Sequence, residues 1–119
     1  MKKFFCTLVI MTFVLCACHK EQNMEIDNDI IIFTQQGCPH CEKAVDYINN
    51  YLLLKKPTLH IKQIDVSHNN ENIEILKHYL KKYNSYETRI GTPVIIFNNQ
   101  LVIGWDITNK FKLKKAFDL

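Results

Sequence analysis

Hydrophobic and polar positions divide the chain into three stretches: a charge-free apolar run from Phe4 to Ala17, a polar segment from His19 to Asn28, and a periodic remainder from Asp29 to Leu119. In the last stretch, Ile30, Ile31, Ile32 and Phe33 form a continuous apolar run ended by Thr34-Gln35-Gln36-Gly37, the pattern of a strand covered on both faces. From Pro39 the period becomes helical. Cys41, Val45, Ile48 and Leu52 fall on one stripe, and Pro57 stops the segment after Lys55 and Lys56. Leu59 to Val66 reads as a second strand. Asn70 is expected to cap a helix with Ile73, Leu76, Leu80 and Tyr83 on its apolar face. Pro93 to Phe97, the turn-prone pair Asn98-Asn99 and Leu101 to Gly104 predict a β-hairpin. Asp106 or Thr108 then caps a last helix through Phe111, Leu113 and Phe117, with Lys110, Lys112, Lys114 and Lys115 on its wet side. The predicted order is βαβαββα, with no internal repeat or low-complexity segment.

The first two stretches read as targeting and tether. Lys2 and Lys3 precede the apolar run, whose residues 4–17 would rise only about 21 Å as a helix, short of the roughly 20 residues needed to cross a bilayer core. That favours a signal peptide over an anchor. Its end, Leu15-Cys16-Ala17-Cys18, resembles the bacterial lipoprotein box, with a small residue directly before the cysteine that is lipidated. Cys18 fits, whereas Cys16 follows bulky Leu15. The expected division is thus residues 1–17 as lipoprotein signal peptide, 18–28 as polar tether and 29–119 as the folded domain, a plain cleaved secretory signal being the alternative.

Composition adds limits. At 119 residues, with 47% hydrophobic and 23% charged positions, the chain holds one small domain rather than a multidomain enzyme. Its formal charge of +3 falls to +1 once Lys2 and Lys3 leave with the peptide, too weak to argue for nucleic acid. Of five cysteines, Cys6 and Cys16 also leave and Cys18 becomes a thioether, so only Cys38 and Cys41 remain as thiols. Outside the cytosol such a pair is expected to be oxidised or exchanging.

Gly37-Cys38-Pro39-His40-Cys41 stands where the first strand ends and the first helix begins. Cys38 is expected at the helix N-terminus, where free backbone N–H groups and the helix dipole favour a thiolate and lower its pKa below the free value of about 8.5. Pro39 suits the first turn, where its missing N–H costs nothing. Cys41, one turn on and facing the core, is placed to resolve a mixed disulfide made at Cys38. A partly cationic His40 beside Cys38 would further stabilise the thiolate and make the disulfide a stronger oxidant; otherwise His40 is a solvated loop residue.

Other readings of this C-x-x-C are weaker. A c-type haem site needs His directly after the second Cys, and Glu42 stands there. A tetrahedral zinc site needs two further ligands; there is no second C-x-x-C, and His60, His68 and His78 are scattered over a strand, a loop and a helix. No metal ligand set is assigned. A purely structural disulfide closing so short a loop would stabilise little.

With Gly91-Thr92-Pro93 following a C-P-x-C, Pro93 being a candidate cis-proline at a strand start, the chain resembles the thioredoxin superfamily, and its small glutaredoxin-like branch most closely, over Asp29 to Leu119. The resemblance implies a three-layer α/β/α sandwich with a four-stranded mixed sheet. It also implies Cys38 as the attacking and Cys41 as the resolving cysteine, Pro93 as the cis-proline packing on the disulfide, and Thr92 as a backbone contact to substrate. Gly104-Trp105-Asp106 is similar to the glutaredoxin Gly-Gly…Asp that helps bind glutathione. Trp105 in place of the second glycine and the absence of a basic residue before the active-site loop stand against that ligand, so no cofactor beyond the Cys38–Cys41 disulfide is expected, with glutathione as the alternative. Pro39-His40 is similar to the strongly oxidising periplasmic Dsb oxidase, and Thr92 before the proline resembles the Dsb isomerases.

The expected function is therefore a thiol–disulfide oxidoreductase, oxidising or isomerising, acting on exported protein thiols or disulfides with a separate redox partner. It is expected to be a monomer held to the membrane by lipid on Cys18, on the periplasmic or extracytoplasmic face of the cell envelope. An envelope reductase serving a dedicated partner such as a cytochrome maturation factor, a metal-binding or metal-delivery lipoprotein using both thiolates, and a redox-silent binding module are the alternatives.

Overall fold

Alternation inside one five-residue strand organises the molecule. A computed structural model describes residues 25–85 and 91–119; the expected signal peptide, Cys18 and most of the tether lie outside these residues. β1 (Ile30–Thr34) is buried along its whole length. Because successive side chains point to opposite faces, Ile30 and Ile32 enter one core cluster and Ile31 and Phe33 the other.

The remaining elements assemble around it: α1 (Pro39–Tyr47), a π-helical turn (Ile48–Leu52), α2 (Leu53–Lys55), β2 (Ile61–Asp65), α3 (Asn70–Lys82), β3 (Val94–Phe97), β4 (Gln100–Ile103) and α4 (Ile107–Ala116). The sheet order is β2-β1-β3-β4. β1 runs parallel to β2 and antiparallel to β3, and β3 runs antiparallel to β4. On one face Ile30, Ile32 and Ile95 meet Ala44, Ile48 and Leu52 of the first helical segment and Leu113 of α4. On the other, Ile31, Phe33, Val94 and Ile96 meet Leu76, Tyr79 and Leu80 of α3. The result is a thioredoxin-like three-layer α/β fold with a four-stranded mixed sheet, as the sequence predicts. Each fully buried Ile, Leu or Phe contributes about 1.5–3 kcal/mol, so these two clusters carry most of the stability.

Local differences have identifiable causes. The helix from Pro39 continues to Lys55 but widens into the π-helical turn at Ile48–Leu52. The second strand begins at Ile61 rather than Leu59, because the Asp29 carboxylate accepts the His60 N–H at 2.7 Å and ties that residue off before the ladder starts. Asn69, not Asn70, caps α3: its backbone is extended and its side chain accepts the Asn72 N–H at 3.1 Å. Phe111 is exposed rather than on the apolar face. Residues two apart on a helix lie about 200° apart around the axis, so with Leu113 buried in the core Phe111 must point outward.

Asn98 and Asn99, with φ of 45° and 56°, form the tight turn between β3 and β4. Of the expected tether, residues 25–28 are described. The Ile26 N–H donates to the Tyr79 hydroxyl at 2.7 Å, Ile26 packs against the α3-side core, and the Glu25 carboxylate pairs with Lys82 and, at 3.6 Å, with His78. Among the described residues no helix is long and apolar enough to cross a membrane.

Candidate active site

β1 delivers the chain to the end of the sheet, where Thr34 is buried and Gln35, Gln36 and Gly37 turn it into α1. Gly37 has φ +68°, a conformation that costs other residues energy. Cys38 is the N-cap of α1, with extended backbone, and Pro39 opens the first turn. In place of the oxygen of an ordinary cap, the Cys38 sulfur accepts the Cys41 N–H at 3.1 Å. Cys38 and Cys41 are joined as a disulfide with their Cα atoms 5.2 Å apart. Cys41 is only 3% exposed, whereas Cys38 is half-buried and within reach of a partner.

The second side of the site comes from the segment before β3. The peptide between Thr92 and Pro93 is cis, and Pro93 is buried. Thr92 faces the disulfide twice: its carbonyl oxygen lies 3.5 Å from Cys38 Sγ and its hydroxyl 3.4 Å from the same atom. That hydroxyl also donates to Gln35 Oε1 at 3.1 Å, linking the two segments that enclose Cys38.

The third side follows β4. The Gly104 N–H donates to the Pro93 carbonyl at 2.7 Å, which brings Gly104-Trp105-Asp106 beside the proline. Asp106 spends its carboxylate as the N-cap of α4, accepting the Asn109 N–H at 2.7 Å. Asn109 in turn donates to the carbonyls of Ile103 and Gly104. Trp105 turns to α1 and sets its ring 5.4 Å from that of Tyr47.

Two features of the site were not legible in the sequence. The first is Gln35, whose contact with Thr92 spans 57 positions of chain. The second is the brace from the loop after β2. The Gln36 N–H donates to Ser67 Oγ at 2.7 Å, and His68 Nε2 lies 3.3 Å from Gln36 Oε1. The Asp65 carboxylate accepts the Ser67 N–H at 2.7 Å, and the hydrogen bonds from Ser67 hold its pKa below the usual carboxylate range. A cleft of about 450 Å³ opens beside Cys41, lined by Thr34, Gln35, Glu42, Asp46 and Asp65 among others.

His40 sits in the first turn of α1 and is exposed. The other histidines stay apart: His60 lies 3.3 Å from Asp29, His68 meets Gln36, and His78 meets Glu25. Among the described residues no group of three or more His, Cys, Asp or Glu side chains is placed to hold a metal ion.

This arrangement suits disulfide exchange. The half-buried Cys38 sulfur accepts a backbone N–H at a helix N-terminus, a position that favours a thiolate, and Cys41 is buried one turn behind it.

The comparisons agree with that geometry. The profile of a family described as glutaredoxin-like domain (DUF836) matches residues 29–117. Among solved structures, a glutaredoxin from Archaeoglobus fulgidus superposes with a TM-score of 0.53 at 18% identity, covering 78% of this chain and 89% of that one. Oxidised glutaredoxin 2 from Chlamydomonas reinhardtii gives 0.51 at 15% identity, covering 82% and 81%. A mutant of a thioredoxin-like protein gives 0.50 at 21% identity, covering 76% and 95%. At these identities the likeness is one of fold. No curated protein gives a significant sequence match.

Proposed function

Because the chain belongs to the glutaredoxin-like domain family, we propose that it is a thiol–disulfide oxidoreductase that exchanges disulfides with exported proteins through Cys38 and Cys41. Its direction is oxidising or isomerising. The observation that carries this reading is the Cys38 sulfur: it accepts the Cys41 N–H and lies within 3.5 Å of Thr92, at the dipole end that favours a thiolate. Stabilising that thiolate stabilises the dithiol form, which makes the disulfide a better oxidant.

In the oxidising direction a substrate thiolate attacks Cys38 Sγ. The Cys38–Cys41 bond breaks, Cys41 leaves with the electron pair and takes up a proton, and a mixed disulfide forms. A second substrate thiolate attacks the substrate sulfur of that bond and expels Cys38 as a thiolate. The substrate ends as a disulfide and the protein as a dithiol, to be reoxidised by a separate redox partner. Isomerisation uses the same steps, starting from the Cys38 thiolate attacking a substrate disulfide.

We place the protein on the extracytoplasmic face of the cell envelope, tethered by lipid on Cys18, as a monomer. The Leu15-Cys16-Ala17-Cys18 pattern behind the charge-free run supports the lipid tether. Thr92, Pro93 and Gly104 supply the surface on which substrate backbone would lie. Asp106, engaged as a helix cap, and Trp105, turned to Tyr47, weigh against a glutathione site in that loop.

The test is capture. Cys41→Ser leaves Cys38 without its resolving partner, so mixed disulfides with envelope proteins should accumulate and dissolve on reduction. Their absence, with Cys38 freely alkylated in cells, would remove the enzymatic reading.

A further inference from the structure

We propose that the basic, aromatic face shared by the α1–α2 segment and α4 binds an acidic stretch of the protein substrate, next to the cysteine that engages Cys38. This rests on the exchange reading given above.

Around the first helical segment, charge is segregated. Glu42 and Asp46 line the cleft beside Cys41. On another face, Tyr47 and Tyr51 stack with ring centroids 4.9 Å apart, and Trp105 closes the top of the stack. Three lysines sit over these rings: Lys110 lies 4.8 Å from Tyr47, and Lys55 and Lys114 lie 5.8 and 6.0 Å from Tyr51. Lys55 comes from α2, Lys110 and Lys114 from α4, so both helical segments contribute cations to this face. None of the three pairs with a carboxylate among the described residues.

The apolar surface falls on the same helices. The exposed large hydrophobic side chains of the described residues are Leu54 on α2 and Ile107 and Phe111 on α4. Ile107, Lys110, Phe111 and Lys114 recur at the spacing of one helical stripe. A face that offers aromatic rings, unpaired ammonium groups and flanking apolar side chains complements carboxylates set among apolar residues.

A run of contacts joins this face to the reactive sulfur. Thr92 touches Cys38, the following residue Pro93 accepts the Gly104 N–H, and the next residue, Trp105, sets its ring 5.4 Å from that of Tyr47 at a tilt of 48°. On this proposal a polypeptide whose cysteine reaches Cys38 extends past Trp105 towards Tyr51. This gives Trp105 a part other than glutathione binding. A membrane surface is the lesser fit, because Glu25 and Ile26, at the start of the described residues, are fastened to Lys82 and Tyr79 of α3 on the opposite face of the sheet.

The experiment uses the oxidised mature chain and two dithiol peptides in excess, identical except that one carries Asp and Glu around a Phe beside its cysteines and the other Asn and Gln. Each peptide is oxidised to its disulfide as the Cys38–Cys41 bond is reduced, and the two thiol protons pass to the new dithiol. The concentration giving the half-maximal single-turnover rate should be about tenfold lower for the acidic peptide, the sum of a few exposed charge pairs. That ratio should fall towards one in a Lys55→Gln, Lys110→Gln, Lys114→Gln variant and at high salt. A ratio of one in the unaltered chain overturns the proposal, and so does a ratio that survives the three substitutions. Lysine-dependent pelleting with phosphatidylglycerol vesicles, without a peptide preference, would assign this face to lipid and also overturn the proposal. If neither peptide reacts, the exchange reading itself fails.

Discussion

The Thr92 hydroxyl stands between two acceptors, 3.1 Å from Gln35 Oε1 and 3.4 Å from Cys38 Sγ. With the disulfide closed, the hydroxyl is within donating distance of both. A Cys38 thiolate would be a stronger acceptor than the disulfide sulfur and would compete better for the proton. The side chain before the cis-proline is thus placed to donate to a Cys38 thiolate, which Thr92→Val tests.

Thr92→Val keeps the shape of that side chain and removes the donor. In the Cys41→Ser background, where Cys38 alone titrates, the pH profile of Cys38 alkylation should have its midpoint below the free value of about 8.5. Adding Thr92→Val should move the midpoint upward by roughly half to one unit, the worth of one hydrogen bond. An unmoved midpoint would mean that the hydroxyl does not reach the sulfur in the reduced protein.

Asp106 serves the site through architecture. Its carboxylate caps α4 and so fixes the loop that carries Gly104 and Trp105. Asp106→Ala should lower stability by about 1 kcal/mol, whereas Asp106→Asn should restore most of it, because amide and carboxylate oxygens both cap well. Denaturant unfolding of the two variants measures the difference.

Glu25 fastens the N-terminal end of the described chain to α3. Its pKa is held below the usual carboxylate range, first by the hydrogen bond from Lys82, with burial opposing. A depressed folded-state pKa contributes stability that is fully present above the unfolded value and is lost as pH falls through the folded one. Glu25→Gln should therefore lower the Tm by about 2 °C at neutral pH. The gap from the unaltered protein should close as the solution is acidified below the range in which carboxylates ionise. A gap independent of pH would place the effect in packing instead of charge.

Much of the fold was legible because short-range pattern and tertiary context agree. The run Ile30 to Phe33 announced a strand covered on both faces, and the cores on each side are built on it. Asn98-Asn99 announced the hairpin because both residues tolerate positive φ. Cys38-Pro39 announced a helix start because both suit its first positions.

What stayed hidden depends on three-dimensional partners. Tyr79 falls between the apolar positions chosen for α3, yet it is 1% exposed, because its hydroxyl is satisfied by Ile26 from 53 positions away. Ala44 fills the space beneath α1 that a small side chain leaves for the sheet. Asn69 and Asn70 are chemically alike as caps, and only the extended backbone at Asn69 separates them. The active-site loop's contacts with Ser67 and Thr92 join segments that share no local pattern.

The reduction potential of the Cys38/Cys41 couple in the purified protein, equilibrated in thiol redox buffers and read by alkylation and mass, tests the central claim most directly. Thiolate stabilisation at Cys38 leads to an expected value of about −120 to −180 mV, the range of a disulfide donor or isomerase. A value near about −270 mV would make the protein a reductase, and a pair that does not titrate would leave it without the exchange chemistry; either result contradicts an oxidising or isomerising role.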